Sequence, residues 1–126
     1  MTWRIAQSPS CGELFVAPGN AGTSSLATNV NLDISDLQAV KAFCLERAID
    51  LVVVGPEQPL VDGIVDFIRS EEELQQIAVV GPDSKAAQLE GSKEFAKEFM
   101  SKYDIPTEAY RSFQANELEE ALAYID

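Results

Sequence analysis

Two short runs, Leu51-Val52-Val53-Val54 and Ile77-Ala78-Val79-Val80, are apolar at every position instead of alternating with polar residues. Alternation marks a strand with one wet face, whereas an unbroken β-branched run marks a strand covered on both faces, as in a parallel sheet. Between these runs the apolar spacing turns helical. Leu37, Val40, Cys44, Leu45 and Ala48 keep a helical period behind Ser35, a residue type that caps helix starts. Leu60, Ile64, Phe67 and Ile68 do the same in a helix predicted from about Pro59 to Ser70. Upstream, Met1 to Gln7 reads as the tail of a helix stopped by Ser8-Pro9-Ser10, and Glu13 to Ala17 reads as a strand. Thr28 to Leu32 alternates and predicts a short edge strand. Strand and helix alternate through short turns, which predicts an α/β fold: an open parallel sheet with helices on both faces and right-handed crossovers.

After Ser84 the pattern changes. A short helix is predicted around Lys85 to Leu89, then a longer one from Ser92 to Tyr103 with Phe95, Phe99, Met100 and Tyr103 on one side. Asp104-Ile105-Pro106-Thr107 breaks it, Ala109 to Phe113 reads as a strand, and Asn116 caps a last helix from Glu117 to Ile125. We therefore expect one α/β domain over residues 1–83 and the opening of another over 84–126. A chain that begins inside one helix and ends inside another reads as a piece of a longer protein.

Charge narrows the function classes. The net charge is −12 over 126 residues, with no histidine. Nucleic acids and anionic membranes are bound by an excess of Lys and Arg, so neither is an expected partner. A small phosphorylated ligand stays open, because backbone N–H groups bind anions without a basic surface. Two cysteines, Cys11 and Cys44, are too few and too far apart for a zinc site, and Cys44 falls on a helical apolar stripe as core filler. No apolar stretch has the length of a membrane span and no signal peptide opens the chain, so a cytoplasmic location is expected. The Glu71-Glu72-Glu73 run is read as a solvated helix end without function, and Trp3 and the Phe95/Phe99 pair as core.

The chemistry-bearing features are strand-end turns. Val54-Gly55-Pro56-Glu57 and Val80-Gly81-Pro82-Asp83 each follow one of the apolar runs. In open parallel sheets ligands bind beyond the carboxyl ends of strands. Glycine admits close backbone approach, proline fixes the strand exit, and the carboxylate accepts hydrogen bonds. A Gly-Pro that merely ends a strand explains either turn alone; the repetition favours a site.

Three strings, in order, are specific: Phe15-Val16-Ala17-Pro18-Gly19-Asn20-Ala21-Gly22-Thr23, Val54-Gly55-Pro56-Glu57-Gln58-Pro59-Leu60 and Gln88-Leu89-Glu90-Gly91-Ser92-Lys93. Together they resemble the glycinamide ribonucleotide synthetase family, within the ATP-grasp superfamily, from about Trp3 to Ile125. The resemblance implies a Rossmann-like pre-ATP-grasp domain with its first strand missing here, followed by the start of an ATP-grasp domain. It further implies a C–N ligase of purine synthesis that activates glycine as an acyl phosphate for attack by the amine of phosphoribosylamine. ATP and magnesium (or manganese) would be the cofactors of the whole enzyme, held by segments this chain lacks, so the chain alone is expected to bind none and to be inactive.

On that resemblance, Gly19, Asn20, Gly22 and Thr23 line the sugar-phosphate pocket, with a plain tight turn as the alternative. Gly55, Pro56 and Glu57 form the second contact, Glu57 reaching the ribose or amine. Lys93 matches a cation near ATP phosphates, with a solvated helix lysine as the equal alternative, and Lys97 and Lys102 are surface charges. Asp83 is a weaker candidate for a contact like that of Glu57, with a helix cap as the alternative. The competing function is a non-catalytic nucleotide- or sugar-phosphate-binding α/β module; a dinucleotide oxidoreductase is disfavoured because no G-x-G-x-x-G is present.

Overall fold

A computed structural model describes residues 1–125. In chain order the elements are α1 (Thr2–Ala6), β1 (Phe15–Val16), β2 (Thr28–Asn29), α2 (Leu37–Glu46), β3 (Leu51–Val53), α3 (Glu57–Val61), α4 (Ile64–Ser70), a 3-10 turn at Glu72–Leu74, β4 (Ala78–Val80), α5 (Ser84–Gly91), α6 (Lys93–Lys102) and α7 (Leu118–Ile125). One compact unit runs from Met1 to Ala87, and a second begins at Gln88.

The α/β class is as expected, but the sheet is not one sheet. β1 pairs in parallel with β2, β3 pairs in parallel with β4, and the two pairs share no strand hydrogen bonds. Val54 N–H donates to Val80 O and Ala78 N–H to Asp50 O. Asp50, Val52 and Val54 therefore turn their main-chain groups toward β4, and those of Leu51 and Val53 point to a free edge. Nor are the apolar runs covered on both faces. Leu51 is 51% and Val80 55% exposed, because helices pack on one side of this pair only.

That side holds the core. Val65 and Leu74 are fully buried and Ile68 nearly so, joined by Val40 and Cys44 from α2, Leu60 from α3, Ile64 from α4 and Ala87 from α5. Each large side chain moved here from water contributes about 1.5–3 kcal/mol. Cys44 fills space as expected, and burial pushes its thiol pKa up. Gly81 sets the closest approach of helix to strand: a Cβ there would meet Leu60 Cδ2 at 2.7 Å and Val65 Cγ2 at 3.2 Å.

Local details correct the expectations. Asp36, not Ser35, caps α2, accepting from Gln38 N–H at 3.1 Å and Ala39 N–H at 3.0 Å; Ser35 is turned back onto the Asp33 carboxylate. Ala48 lies beyond α2 at φ 47, where Ile49 N–H reaches Cys44 O and Ala48 N–H reaches Leu45 O. This is the double carbonyl cap that usually ends in glycine. The single helix predicted for 59–70 is two, broken at Gly63 with φ 88 and started early at Glu57. The Glu71–Glu73 run is not merely solvated, since Glu71 (2.5 Å) and Glu73 both bind Lys41 Nζ, and both raise its pKa. Trp3 is 55% exposed, because α1 buries nothing.

In the second unit Ser92 caps α6 by accepting from Phe95 N–H at 3.2 Å. Phe95 and Phe99 are only half-buried, and Phe99 stacks on the exposed Tyr103 with ring centroids 4.6 Å apart. Residues 109–113 form no strand, having no partner to pair with among the described residues. The preceding residues are tied down by Lys97, which donates to Thr107 Oγ1 at 2.6 Å and to Glu108 O at 3.2 Å, so this lysine is more than a surface charge. The residue before α7 is Glu117 rather than Asn116, and its carboxylate accepts from Gln114 N–H.

Two outcomes follow. A non-glycine residue at left-handed φ costs roughly 1–2 kcal/mol, and glycine's greater unfolded-state freedom returns part of any gain. Ala48→Gly should therefore raise stability by about 0.5–1 kcal/mol, read as a higher denaturant midpoint at unchanged slope. In amide exchange, Val52 and Val54 should be slow and Leu51 and Val53 fast; equal protection of all four would mean that the β3 edge is covered.

Candidate functional site

The loop that leaves β1 is built by its own hydrogen bonds. Ala17-Pro18 is a cis peptide, and Gly19 follows at φ 79, a backbone region favouring glycine. Asn20 Oδ1 accepts from Gly22 N–H at 2.8 Å and Thr23 N–H at 3.1 Å, while Thr23 Oγ1 accepts from Asn20 N–H at 2.8 Å. The pattern is the reciprocal cap of a helix start, with Asn and Thr as partners. Thr23, Ser24, Leu26 and Ala27 continue it as helical turns through N–H bonds to Asn20 O and Thr23 O. The polar string therefore acts first as a self-locking turn. Gly22 N–H and Thr23 N–H are spent inside it, whereas Gly19 N–H, Ala21 N–H and the Asn20 Nδ2 amide have no partner among the described residues.

One further residue closes the loop. Asn29, on β2, donates from Nδ2 to Asn20 O at 2.8 Å, and its Oδ1 accepts from the Thr23 hydroxyl at 2.7 Å. Sequence reasoning took Asn29 for an edge-strand position only. An exposed strand asparagine carries no signal of its own, and the β1–β2 pairing is what brings it over the loop. From Leu14 to Leu32 the chain carries no charged residue, although it has 21 acidic residues in all.

The second strand-end turn places Gly55, Pro56 and Glu57 at the exit of β3. Pro56 is the residue before α3, and Glu57 opens its first turn, where a carboxylate faces the positive end of the helix. Glu57 is exposed, and its carboxylate has no hydrogen-bond partner among the described residues. No hydrogen bond joins this turn to the Gly19–Thr23 loop. At the equivalent exit of β4, Asp83 Oδ1 accepts from Ala86 N–H at 2.8 Å, the helix cap of its alternative reading. Beside it Asp66 Oδ2 accepts from Ser84 N–H at 2.7 Å, and this bond holds the Asp66 carboxyl below its ordinary pKa.

Lys93 is exposed at the start of α6 and lines a shallow cleft of about 420 Å³ with Lys97, Tyr110 and Arg111. In the first unit a cleft of about 700 Å³ runs along the β1–β2 pair between Phe15, Asn29, Phe43 and Arg47, and none of the binding residues expected from the sequence lines it. Among the described residues no group of three or more His, Cys, Asp or Glu is gathered as metal ligands.

Comparison with known proteins agrees with the loop string. Residues 1–90 match the family described as phosphoribosylglycinamide synthetase, N domain. The chain is 52% identical over its whole length to a phosphoribosylamine–glycine ligase of Mesorhizobium japonicum, covering 28% of that protein. It is 46% identical over 99% of its length to the ligase of that name from Vibrio cholerae, and 45% identical over 99% to that from Salmonella typhimurium, again covering 28% of each. The chain thus spans about 28% of the length of these relatives. With three strings in order and a match across its first ninety residues, the chain belongs to the phosphoribosylglycinamide synthetase N-domain family.

Proposed function

We propose that this chain is the N-terminal part of an ATP-dependent ligase that joins glycine to 5-phosphoribosylamine, giving glycinamide ribonucleotide in purine biosynthesis by way of a glycyl phosphate. The observation that carries the reading is 52% identity over the whole chain to a protein named for that reaction. The loop geometry supports it. A neutral turn with free N–H groups at Gly19 and Ala21 and a free amide at Asn20 suits a sugar phosphate. Gly22 and Thr23 shape that turn, and Gly55, Pro56 and Glu57 offer the acceptor for ribose hydroxyls or the amine.

In this reading residues from 84 onward open an ATP-grasp domain, Lys93 faces ATP phosphates, and the enzyme is cytoplasmic. ATP supplies the phosphoryl group, with magnesium or manganese to neutralise its charge. Among the described residues no three His, Cys, Asp or Glu side chains are gathered as metal ligands, and this reading assigns the metal to the remainder of the ligase. Phosphoribosylamine, glycine and ATP are the only partners the reading requires, with neither nucleic acid nor membrane among them.

The test is a chimaera in which residues 1–126 replace the matching part of the Mesorhizobium japonicum ligase. It should turn over phosphoribosylamine, glycine and ATP, whereas the 126-residue chain alone should release no phosphate. A chimaera that folds and binds ATP but ignores phosphoribosylamine would overturn the reading.

Within the chimaera, Glu57→Ala should raise the apparent KM for phosphoribosylamine about tenfold or more and leave that for ATP nearly unchanged, since a hydrogen bond to a charged group is worth about 1.5–3 kcal/mol. An unchanged KM would return Glu57 to its helix-start role. Lys93→Ala should show the reverse selectivity, weakening ATP; equal losses for both substrates would indicate misfolding.

A further inference from the structure

We infer that Asn29 is a positioning residue for the phosphoribosylamine loop: its side-chain amide clamps the Gly19–Thr23 turn into the shape that receives the ligand. The inference rests on the reading of that loop as the sugar-phosphate site. The orientation of the amide follows from chemistry. Asn20 O is a carbonyl and can only accept, so the Asn29 NH₂ group must face it, at 2.8 Å. Oδ1 is thereby turned to the Thr23 hydroxyl, at 2.7 Å. With Asn29 as its acceptor, the Thr23 hydroxyl keeps a lone pair for Asn20 N–H at 2.8 Å. One side chain on β2 thus holds both ends of the reciprocal cap, through the carbonyl of its first residue and the hydroxyl of its last.

Gly19 is the complement of this clamp. A Cβ there would overlap Asn29 Cγ and Oδ1, so the glycine supplies room for the amide as well as the left-handed turn. Asn29 is exposed and contributes nothing to the hydrophobic core, so its bonds serve the loop. The clamp also leaves the loop's free donors, Gly19 N–H, Ala21 N–H and Asn20 Nδ2, fixed before a ligand arrives, which removes an ordering cost from binding.

The experiment uses the chimaeric ligase carrying residues 1–126, with Asn29→Ala and Asn29→Asp. Asn29→Ala should raise the apparent KM for phosphoribosylamine about tenfold or more, as expected when the bond to Asn20 O is lost, the Thr23 hydroxyl turns to Asn20 O at 3.0 Å and the loop loosens, with kcat and the KM for ATP nearly unchanged. Asn29→Asp keeps an acceptor for Thr23 but loses the donor to Asn20 O, so it should not rescue binding. Amide exchange of the peptide covering residues 18–30 should rise in both variants without ligand. If exchange there is unchanged in Asn29→Ala, the clamp is refuted and the loop assignment stands. If exchange rises while every KM is unchanged, the loop is not the phosphoribosylamine site, and the inference falls with that reading.

Discussion

The parallel pairing of β3 with β4 is the constraint on which the first unit depends. Parallel strands cannot be joined by a hairpin, so the chain must leave β3, cross over the pair and return beside it. α3, α4 and the 3-10 turn make that crossing, and their apolar sides are what the pair covers. Val65, Ile68 and Leu74 are the most buried side chains among the described residues because they sit on that return path. Gly81 sits where the path is narrowest, with Leu60 and Val65 packed against the space a side chain would need. The second strand-end turn is a product of the same constraint. A chain that must turn from β3 straight into a helix places Gly55, Pro56 and Glu57 together at the sheet's carboxyl end.

The first strand-end loop is held differently. β1 and β2 pair over only two residues each, and no fully buried side chain comes from either. Little hydrophobic burial fixes the loop between them, so hydrogen bonds must do so. Asn20, Thr23 and Asn29 supply a closed set of bonds, all with backbone or each other. Each such bond in an exposed loop is worth only about 0.5–1.5 kcal/mol net, but several sharing three side chains restrict the turn to one shape. The two candidate contacts for one ligand thus rest on unlike supports, a packed crossover and a polar lock.

The sequence made the strands and most helices legible because their signals are local and redundant. An unbroken β-branched run and a helical stripe survive the loss of any one residue. The errors fall where one residue decides. Ser35 and Asp36 are both good caps, and the choice between them depends on Asp33, which takes the Ser35 hydroxyl. Gly63 sits inside an apparently continuous stripe, and only its left-handed backbone ends α3 there. Residues 109–113 have strand-forming side chains but no neighbouring strand, and a strand is a property of a pair. The hydrogen bonds of the first loop divided in the same way. Asn20 and Thr23 stand within one string that the sequence singles out, whereas Asn29 reaches that loop only through strand pairing. The exposed outer side of β3 was equally unreadable: an apolar run states what a strand can be covered by, not what covers it.

The charge distribution leaves room for an anion on an acidic chain. A net charge of −12 should repel a phosphate if it were spread evenly. It is not, since the segment from Leu14 to Leu32 is neutral, with Glu13 and Asp33 as its nearest flanking charges in sequence. At physiological ionic strength the screening length is about 8 Å, so exposed carboxylates beyond that distance weigh little on a phosphate at the loop. At close range the loop offers N–H groups that its own hydrogen bonds hold in fixed directions. Asn20 and Thr23 serve this better than lysines would. They hold the turn without adding a flexible cation to it. An acidic domain can thus keep one loop compatible with an anion by leaving it uncharged.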